Sequence, residues 1–149
     1  MKNLLVLFGG VSPEHEVSLR SAEFVLGHID QSKYNVYAVG ITKEGKWKYY
    51  PSKDYAAIRE NHWQEAEGVC DAALSPSRGQ GLLILKPQGL EIVPIDCCFP
   101  VLHGENGEDG SIQGLMQVAG VPCVGPGVTA SASCMDKTMT KLVVGETGV

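Results

Sequence analysis

A continuous apolar segment at the start of the chain is the strongest constraint on its fold. The residues from Asn3 to Phe8 are almost all apolar, and Gly9-Gly10 follows them directly. A strand that is apolar on both faces has to be covered on both sides, as in the parallel sheets of α/β proteins. Ser12 then suits a helix cap and Pro13 the first helical position, and an apolar stripe with helical spacing extends to Gly27.

The same succession of strand, glycine loop and helix recurs further along the chain. Asp96 to Leu102 has the pattern of a second buried strand, the His103–Gly114 segment is glycine-rich, and a helix is expected from about Ser111 to Ala119. Further strands are predicted at 34–41, 47–50 and 122–124, and a hairpin at 82–93 around Pro87-Gln88-Gly89. Strands that alternate with helices predict an α/β, Rossmann-like open parallel sheet with helices on both faces.

A change of composition marks the predicted domain boundary. Small residues follow Gly125-Pro126-Gly127, and Asp136 suits the cap of a further helix from Lys137 to Val144. The chain then ends without a closing strand, so a truncated chain is expected. We therefore expect one domain over residues 1–126 and the beginning of a second over residues 127–149.

Composition excludes several classes of function. The 149 residues can bury one core, and the net charge of −5 comes without any cluster of basic residues, which argues against nucleic acid as a partner. No apolar run is long enough to span a membrane, and the first apolar run is too short for a signal peptide. Five cysteines without C-x-x-C spacing are typical of reduced core thiols, so we expect a cytoplasmic protein with no membrane partner.

The His103–Gly114 loop carries more charge than a turn requires. One imidazole and the carboxylates of Glu105, Glu108 and Asp109 lie in it, at the carboxyl end of a predicted strand. This composition indicates an active-site loop, although a lone histidine after a strand also suits a structural role. A metal site is the weaker interpretation because no second ligand cluster and no H-x-x-x-H pair accompany the loop. We therefore predict no metal ligands within this chain.

The loop after the first strand is acidic. It has neither the G-x-G-x-x-G nor the G-x-x-x-x-G-K-[ST] pattern, so dinucleotide and P-loop sites are weakly supported. Glu14 and Glu16 would repel a pyrophosphate, whereas a carboxylate that faces the crevice suits an ammonium group. The same two residues also suit a purely structural role, in which they complement the helix dipole.

Three motifs in this order resemble one enzyme family. The first loop Gly9-Gly10-x-Ser12-x-Glu14-His15-x-Val17-Ser18, the His103–Gly114 loop and the run from Ser131 to Lys137 together resemble the D-alanine–D-alanine ligases of the ATP-grasp superfamily. The resemblance covers essentially the whole chain. It implies a pre-ATP-grasp substrate domain, an ATP-dependent ligase that acts in peptidoglycan precursor synthesis, and homodimers formed through this region.

The resemblance also implies a reaction and roles for individual residues. A first D-alanine is activated by ATP as an acyl phosphate, and the amine of a second D-alanine displaces the phosphate. By resemblance, Glu14 holds the ammonium of the first D-alanine and His103 lies beside its carboxylate. Val17 contacts its methyl group, Gly104 shapes the same site, and Lys137 contacts the phosphates of ATP.

Several alternatives stay open from the sequence. The acceptor that the resemblance allows is D-alanine, D-serine or D-lactate, and the residues that choose between them are expected past residue 149, with the Mg²⁺ and adenine sites. The isolated chain could instead be a non-catalytic dimerisation or binding domain. A generic nucleotide-binding α/β domain is the third interpretation, and the acidic first loop argues against it. The chain alone is expected to have no ligase activity.

Overall fold

The computed structural model describes residues 1–148, which form a sheet with helices on both faces. The strands in this range are β1 Lys2–Gly9, β2 Tyr34–Ile41, β3 Trp47–Tyr50, β4 Cys70–Leu74, β5 Leu82–Lys86, β6 Gly89–Val93 and β7 Cys97–Leu102. The helices in this range are α1 His15–His28, α2 Tyr55–Arg59, α3 Ser111–Ala119, α4 Val128–Met135 and α5 Lys137–Glu146, with a 3-10 turn at Trp63–Glu65. None of these helices is both long and apolar enough to cross a membrane.

The strand order is β6-β5-β4-β3-β2-β1-β7, and the α/β class is confirmed. The predicted parallel pairing is confirmed for only part of the sheet, and the rest is antiparallel. Strand β1 is parallel to β2 and β7, whereas every neighbouring pair from β2 to β6 is antiparallel. Short connections explain much of this difference, because the five residues between β2 and β3 and the two between β5 and β6 cannot form a parallel crossover.

The alternating side chains of β1 build two separate cores. Leu4, Val6 and Phe8 pack with Leu19 and Leu26 of α1 on one face of the sheet. Leu5 and Leu7 lie on the other face, where Ile112, Met116 and Ala119 of α3 cover them. Both faces of β1 are therefore buried, as the continuous apolar run predicts.

Helix α1 begins two residues later than predicted. Pro13 lies in a turn, and Glu14 occupies the cap position, where it makes no side-chain cap hydrogen bond. The Ser12 hydroxyl accepts from the Glu14 N–H at 3.1 Å, so it closes a local turn before the helix. The predicted cap at Asp136 is confirmed, because its carboxylate accepts from the N–H groups of Thr138 and Met139.

Candidate functional site

The loops after β1 and β7 meet at one edge of the sheet. The two strands are parallel neighbours, and their last residues, Gly9 and Leu102, lie opposite each other. The chain leaves β1 through α1 towards β2, whereas β7 lies on the other side of β1. Ligands in open α/β sheets bind at such a point, where the direction of the strand order reverses.

A buried serine holds this edge together. The Ser18 hydroxyl of α1 accepts from the Gly9 N–H at 2.8 Å and donates to the Val101 carbonyl. One side chain of α1 therefore connects the ends of β1 and β7. The buried His15 also connects α1 to the loop after β1, because its Nδ1 lies 2.6 Å from the Gly10 carbonyl. Since a carbonyl can only accept, Nδ1 carries the proton of that hydrogen bond.

The predicted substrate residues Glu14 and Val17 share one helix face with Ser21. Glu14, Val17 and Ser21 are spaced three and four residues apart, which places them above one another on successive turns. Glu14 and Val17 are exposed, so this face is open to a ligand.

Gly104 lies against the first residue of that face. A Cβ at this position would be 2.6 Å from Oε2 of Glu14 and 2.5 Å from Oγ of Ser12, and the backbone φ is +68°. Only glycine therefore fits here without displacing the Glu14 carboxylate. The Gly104 N–H donates to Oε2 of Glu108 at 2.7 Å, so it is already bonded within its own loop.

His103 lies against the far end of the same face. Its Nε2 is 3.2 Å from the Ser21 hydroxyl, which also lies 3.0 Å from the Val17 carbonyl. A hydroxyl has one proton, and the carbonyl can only accept it. The Ser21 oxygen therefore accepts from the Nε2–H of His103, and Nδ1 is the ring nitrogen left for a ligand.

Two of the three acidic residues of the His103 loop, Glu108 and Asp109, have structural roles. Besides the bond from Gly104 to Glu108, the Asp109 carboxylate accepts from the N–H groups of Asn106 at 2.8 Å and Ser111 at 2.9 Å. Partial burial raises the pKa of Asp109, but these N–H groups outweigh it, so its pKa is lowered overall. The loop is thus stiffened by two of its own carboxylates.

The two glutamates at the start of α1 differ in their pairing. Glu16 forms an ion pair with Lys43 at 2.6 Å, and the hydrogen bond from Lys43 lowers the pKa of Glu16. Glu14 has no ion-pair partner among residues 1–148. Its carboxylate is therefore available for a cationic group of a ligand.

A cavity of about 300 Å³ lies between the loops after β1 and β7, at the same edge of the sheet. Gly10 and Val11 of the first loop line one side, and Leu102 and His103 line the other, with Trp47 from β3. Its walls are mainly apolar, and the polar side chains that line it belong to the His103–Gly114 loop. The His103 side chain therefore borders both this cavity and the open face of α1.

Lys137 is placed differently from the other predicted residues. It is the first residue of α5, a helix over 137–146 that packs against α4 and has no buried residue. The structure therefore brings Glu14, Val17, His103 and Gly104 to one edge of the sheet and places Lys137 on a separate helix. Within residues 1–148, no group of three His, Cys, Asp or Glu side chains could hold a metal ion.

Sequence reasoning assigned Ser12 only to a helix cap and gave Ser18 and Ser21 no role, although all three serines help to position the site. Ser12, Ser18 and Ser21 contact Gly104, the two strand ends and His103, respectively. The signal for Ser18 was present, since it occupies a core-facing position of an amphipathic helix between Leu19 and His15. A buried hydroxyl there needs partners, and only the neighbouring strand ends offer them.

Comparison with known proteins gives a consistent result. The family model described as "D-ala D-ala ligase N-terminus" matches residues 3–126. The chain is similar to the D-alanine–D-alanine ligase of Thermoanaerobacter sp. (strain X514), with 45% identity over 148 residues that cover 99% of this chain and 41% of that protein. It is 46% identical over 151 residues to the corresponding ligase of Clostridium novyi, covering 99% of this chain and 39% of that protein.

Solved structures agree with the sequence relatives. The VanG D-Ala:D-Ser ligase of Enterococcus faecalis is 39% identical with a TM-score of 0.91, over 99% of this chain and 42% of that chain. The D-alanine–D-alanine ligase of Coxiella burnetii is 30% identical with a TM-score of 0.85, over 99% of this chain and 42% of that chain. The chain thus spans about two fifths of the length of the relatives it matches.

Proposed function

The chain belongs to the D-alanine–D-alanine ligase family, whose N-terminal domain it matches, and we propose that it supplies the first-substrate site of an ATP-dependent ligase. The product is a D-alanyl dipeptide for peptidoglycan precursors. One observation carries the proposal: the Glu14 carboxylate, which has no ion-pair partner within residues 1–148, lies against Gly104 on the helix face that also contacts His103.

In this proposal each residue of the site meets one part of the first D-alanine. The Glu14 carboxylate binds the ammonium group, and Val17 contacts the methyl group. His103, with Nε2 held by Ser21, presents Nδ1 to the substrate carboxylate, and a protonated ring offsets the charge of that carboxylate. ATP supplies the activation of the carboxylate, and these side chains orient the substrate for it.

In this proposal, few residues of this chain bind ATP or Mg²⁺. Lys137 is exposed at the start of α5 and fits as one cation for ATP phosphates. We propose no magnesium or adenine ligand within this chain. These ligands belong, in our proposal, to the part of the relatives that this chain does not span. The chain alone is then inactive, and ATP- and D-alanine-dependent phosphate release from it would contradict this.

A chimera tests the role of Glu14. Residues 1–149 replace the matching 148-residue segment of the Thermoanaerobacter ligase, and dipeptide formation is measured with ATP and D-alanine. In this chimera, Glu14→Gln keeps the shape but loses the charge. A hydrogen bond to a charged group contributes about 1.5–3 kcal/mol, so KM for the first D-alanine should rise about 10- to 100-fold.

Glu16→Gln is the matched control, because it removes the same charge two residues away from a glutamate that is already paired with Lys43. Its KM should stay within about twofold of the parent chimera, as expected for an exposed ion pair. Equal KM values for the two variants would contradict the role of Glu14. An inactive parent chimera would contradict the proposed function itself.

The acceptor is proposed to be D-alanine, with D-serine as the alternative that the similarity to the Enterococcus D-Ala:D-Ser ligase favours. D-lactate stays a further alternative from the family resemblance. Competition among the three acceptors in the intact parent enzyme decides between them, since the chimera would carry the acceptor site of the Thermoanaerobacter protein.

We further propose a domain boundary near residue 126 and a homodimer formed through residues 1–126. Helix α4 begins at Val128, directly after Gly125-Pro126-Gly127, and α5 has no buried residue, which supports a substrate domain over 1–126 and the start of an ATP-grasp domain over 127–149. Residue 149 lies outside the described residues. A chain shortened to 1–126 loses the packing of α4 on α3 but should still unfold in one cooperative transition in urea. Sedimentation of a strict monomer at high concentration would contradict the dimer.

A further inference from the structure

Cys98 of β7 and Cys123 lie directly opposite each other. The Cys98 N–H donates to the Pro122 carbonyl at 2.8 Å, and the Val124 N–H donates to the Cys98 carbonyl at 2.8 Å. This pair of bonds makes an isolated parallel bridge, which places both side chains on the same face. Neighbouring strands lie about 4.7–4.9 Å apart, within the range of about 4.4–6.8 Å between the Cα atoms of a disulfide.

The two thiols differ in exposure and acidity. Cys98 is fully buried in the core beneath α3, whereas Cys123 is only partly buried and packs against that core. The hydrogen bond from the Cys98 thiol lowers the pKa of Cys123, and the same bond together with burial raises the pKa of Cys98. Cys123 is therefore the thiol that an oxidant reaches first, and Cys98 is the one beside it.

The remaining cysteines are placed differently. Cys97 follows the alternation of β7 and packs into the core on the opposite face of the sheet. Cys134 is exposed on α4, and Cys70 lies on β4, which is separated from β7 by three strands. These three provide internal controls for any chemistry at the Cys98–Cys123 pair.

We propose that Cys98 and Cys123 are a dithiol site that a hydroperoxide converts reversibly into a disulfide. The Cys123 thiolate attacks one peroxide oxygen, whose O–O bond breaks, giving a sulfenic acid and, from hydrogen peroxide, hydroxide. The Cys98 sulfur then displaces hydroxide from the sulfenic sulfur and forms the S–S bond. In total, two thiols lose two electrons and two protons, and hydrogen peroxide becomes two molecules of water.

The disulfide would close a loop that contains the β7 side of the candidate site. The segment between the two cysteines includes His103, Gly104 and the whole of α3. Oxidation therefore joins the base of the His103 loop to the segment that leads into α4. This inference rests on the placement and exposure of the two cysteines and stands whether or not the chain belongs to an active ligase.

Thiol counting and peptide mapping test the proposal. The full chain is purified under reducing conditions, treated with hydrogen peroxide, denatured and titrated for free thiols. Two of the five thiols should be lost, and dithiothreitol should restore them. Trypsin cannot separate the pair because no Lys or Arg lies between Lys86 and Lys137, so a protease specific for glutamate is used to cut at Glu105 and Glu108.

After that digestion, the peptide with Cys98 and the peptide with Cys123 should stay joined until reduction. Cys97→Ser and Cys134→Ser should leave the cross-link intact, whereas Cys98→Ala and Cys123→Ser should each abolish it. If Cys98→Ala does not fold, the more exposed Cys123→Ser variant still decides. Five free thiols after oxidation, or a cross-link that persists in Cys123→Ser, would overturn the proposal.

Discussion

Replacement of Gly104 by alanine tests the contact on which the candidate site depends. The left-handed backbone at this position, with φ +68°, costs a non-glycine residue about 1 kcal/mol or somewhat more. The new methyl group would also lie within 2.6 Å of Ser12 Oγ and Glu14 Oε2. Overpacking of this kind typically costs about 1–3 kcal/mol. Because the exposed Glu14 side chain can move aside, we expect a total loss of about 2–3 kcal/mol of unfolding free energy.

Alanine replacements at two other glycines separate the cost of the backbone conformation from the cost of crowding. Gly79 has a similar backbone, with φ +80°, but nothing lies within 4 Å of its added methyl group, so Gly79→Ala should cost only the conformational term of about 1 kcal/mol. Gly114 lies inside α3 with open space around it, so Gly114→Ala should stabilise the chain by about 0.5–1 kcal/mol.

Urea unfolding followed by tryptophan fluorescence measures all three variants, because Trp63 is fully buried and reports on the core. The expected order of stability is Gly114→Ala, then the unmodified chain, then Gly79→Ala, then Gly104→Ala. The reasoning would be refuted if Gly104→Ala cost no more than Gly79→Ala. Such a result would mean that Ser12 and Glu14 do not crowd this position.

Three further predictions concern the core, a helix cap and the His103 loop. Gly40→Ala should cost about 3 kcal/mol in urea unfolding, since its methyl group would lie 2.4 Å from the Trp63 ring and 2.8 Å from the Phe8 ring. Gly27→Ala, in the last turn of α1 with open space around it, should instead stabilise the chain slightly. Asp136→Ala should remove about 1 kcal/mol of helix stability and speed amide hydrogen exchange at residues 138–140. Global stability should not fall, because α5 has no buried residue. Asp54→Ala is the control, because Asp54 lies at a helix cap without a side-chain hydrogen bond and its replacement should change little. Asp109→Asn should weaken the chain at neutral pH. The pKa of Asp109 in the folded chain is below its usual 3.8, so the ionised carboxylate stabilises the folded state above pH 3.8 and this stabilisation is lost as the pH falls through the folded pKa. The free energies of unfolding of the parent and Asp109→Asn should therefore converge in acid. A difference that stays constant with pH would contradict this prediction.

The sequence predicted the part of the fold in which local pattern and tertiary structure agree. The apolar run of β1 is buried on both faces, and the hairpin around Pro87-Gln88-Gly89 forms as expected. The two glycine loops also meet at one edge of the sheet, because the strands that precede them are parallel neighbours. These features follow from short-range patterns whose partners are fixed by the topology of α/β folds.

Other features depended on contacts that no local pattern records. Helix α4 was not predicted because Val128–Met135 is rich in Ser, Thr and small residues, which have weak helix preference, and its packing on α3 decides the outcome. The segment 122–124 forms only the bridge at Cys123 instead of a full strand. For the site, the acidic loop suggested a ligand contact for Glu14, but the close approach of Gly104 required knowledge of how α1 and β7 lie together.

The position of β1 in the sheet has a consequence for the order in which parts of the chain fold during synthesis. Its partners β2 and β7 begin 32 and 95 residues after Lys2, respectively. Pairing of β1 with β2 closes a short loop, whereas pairing with β7 closes one that spans most of the chain and is entropically the more costly. On a ribosome, α1 and its Glu14 face can thus form early, but His103 and Gly104 join them only when β7 has been synthesised and docked. The ligand edge is then among the last parts of the domain to be assembled, so a nascent chain that stalls before β7 would expose the bare edge of β1.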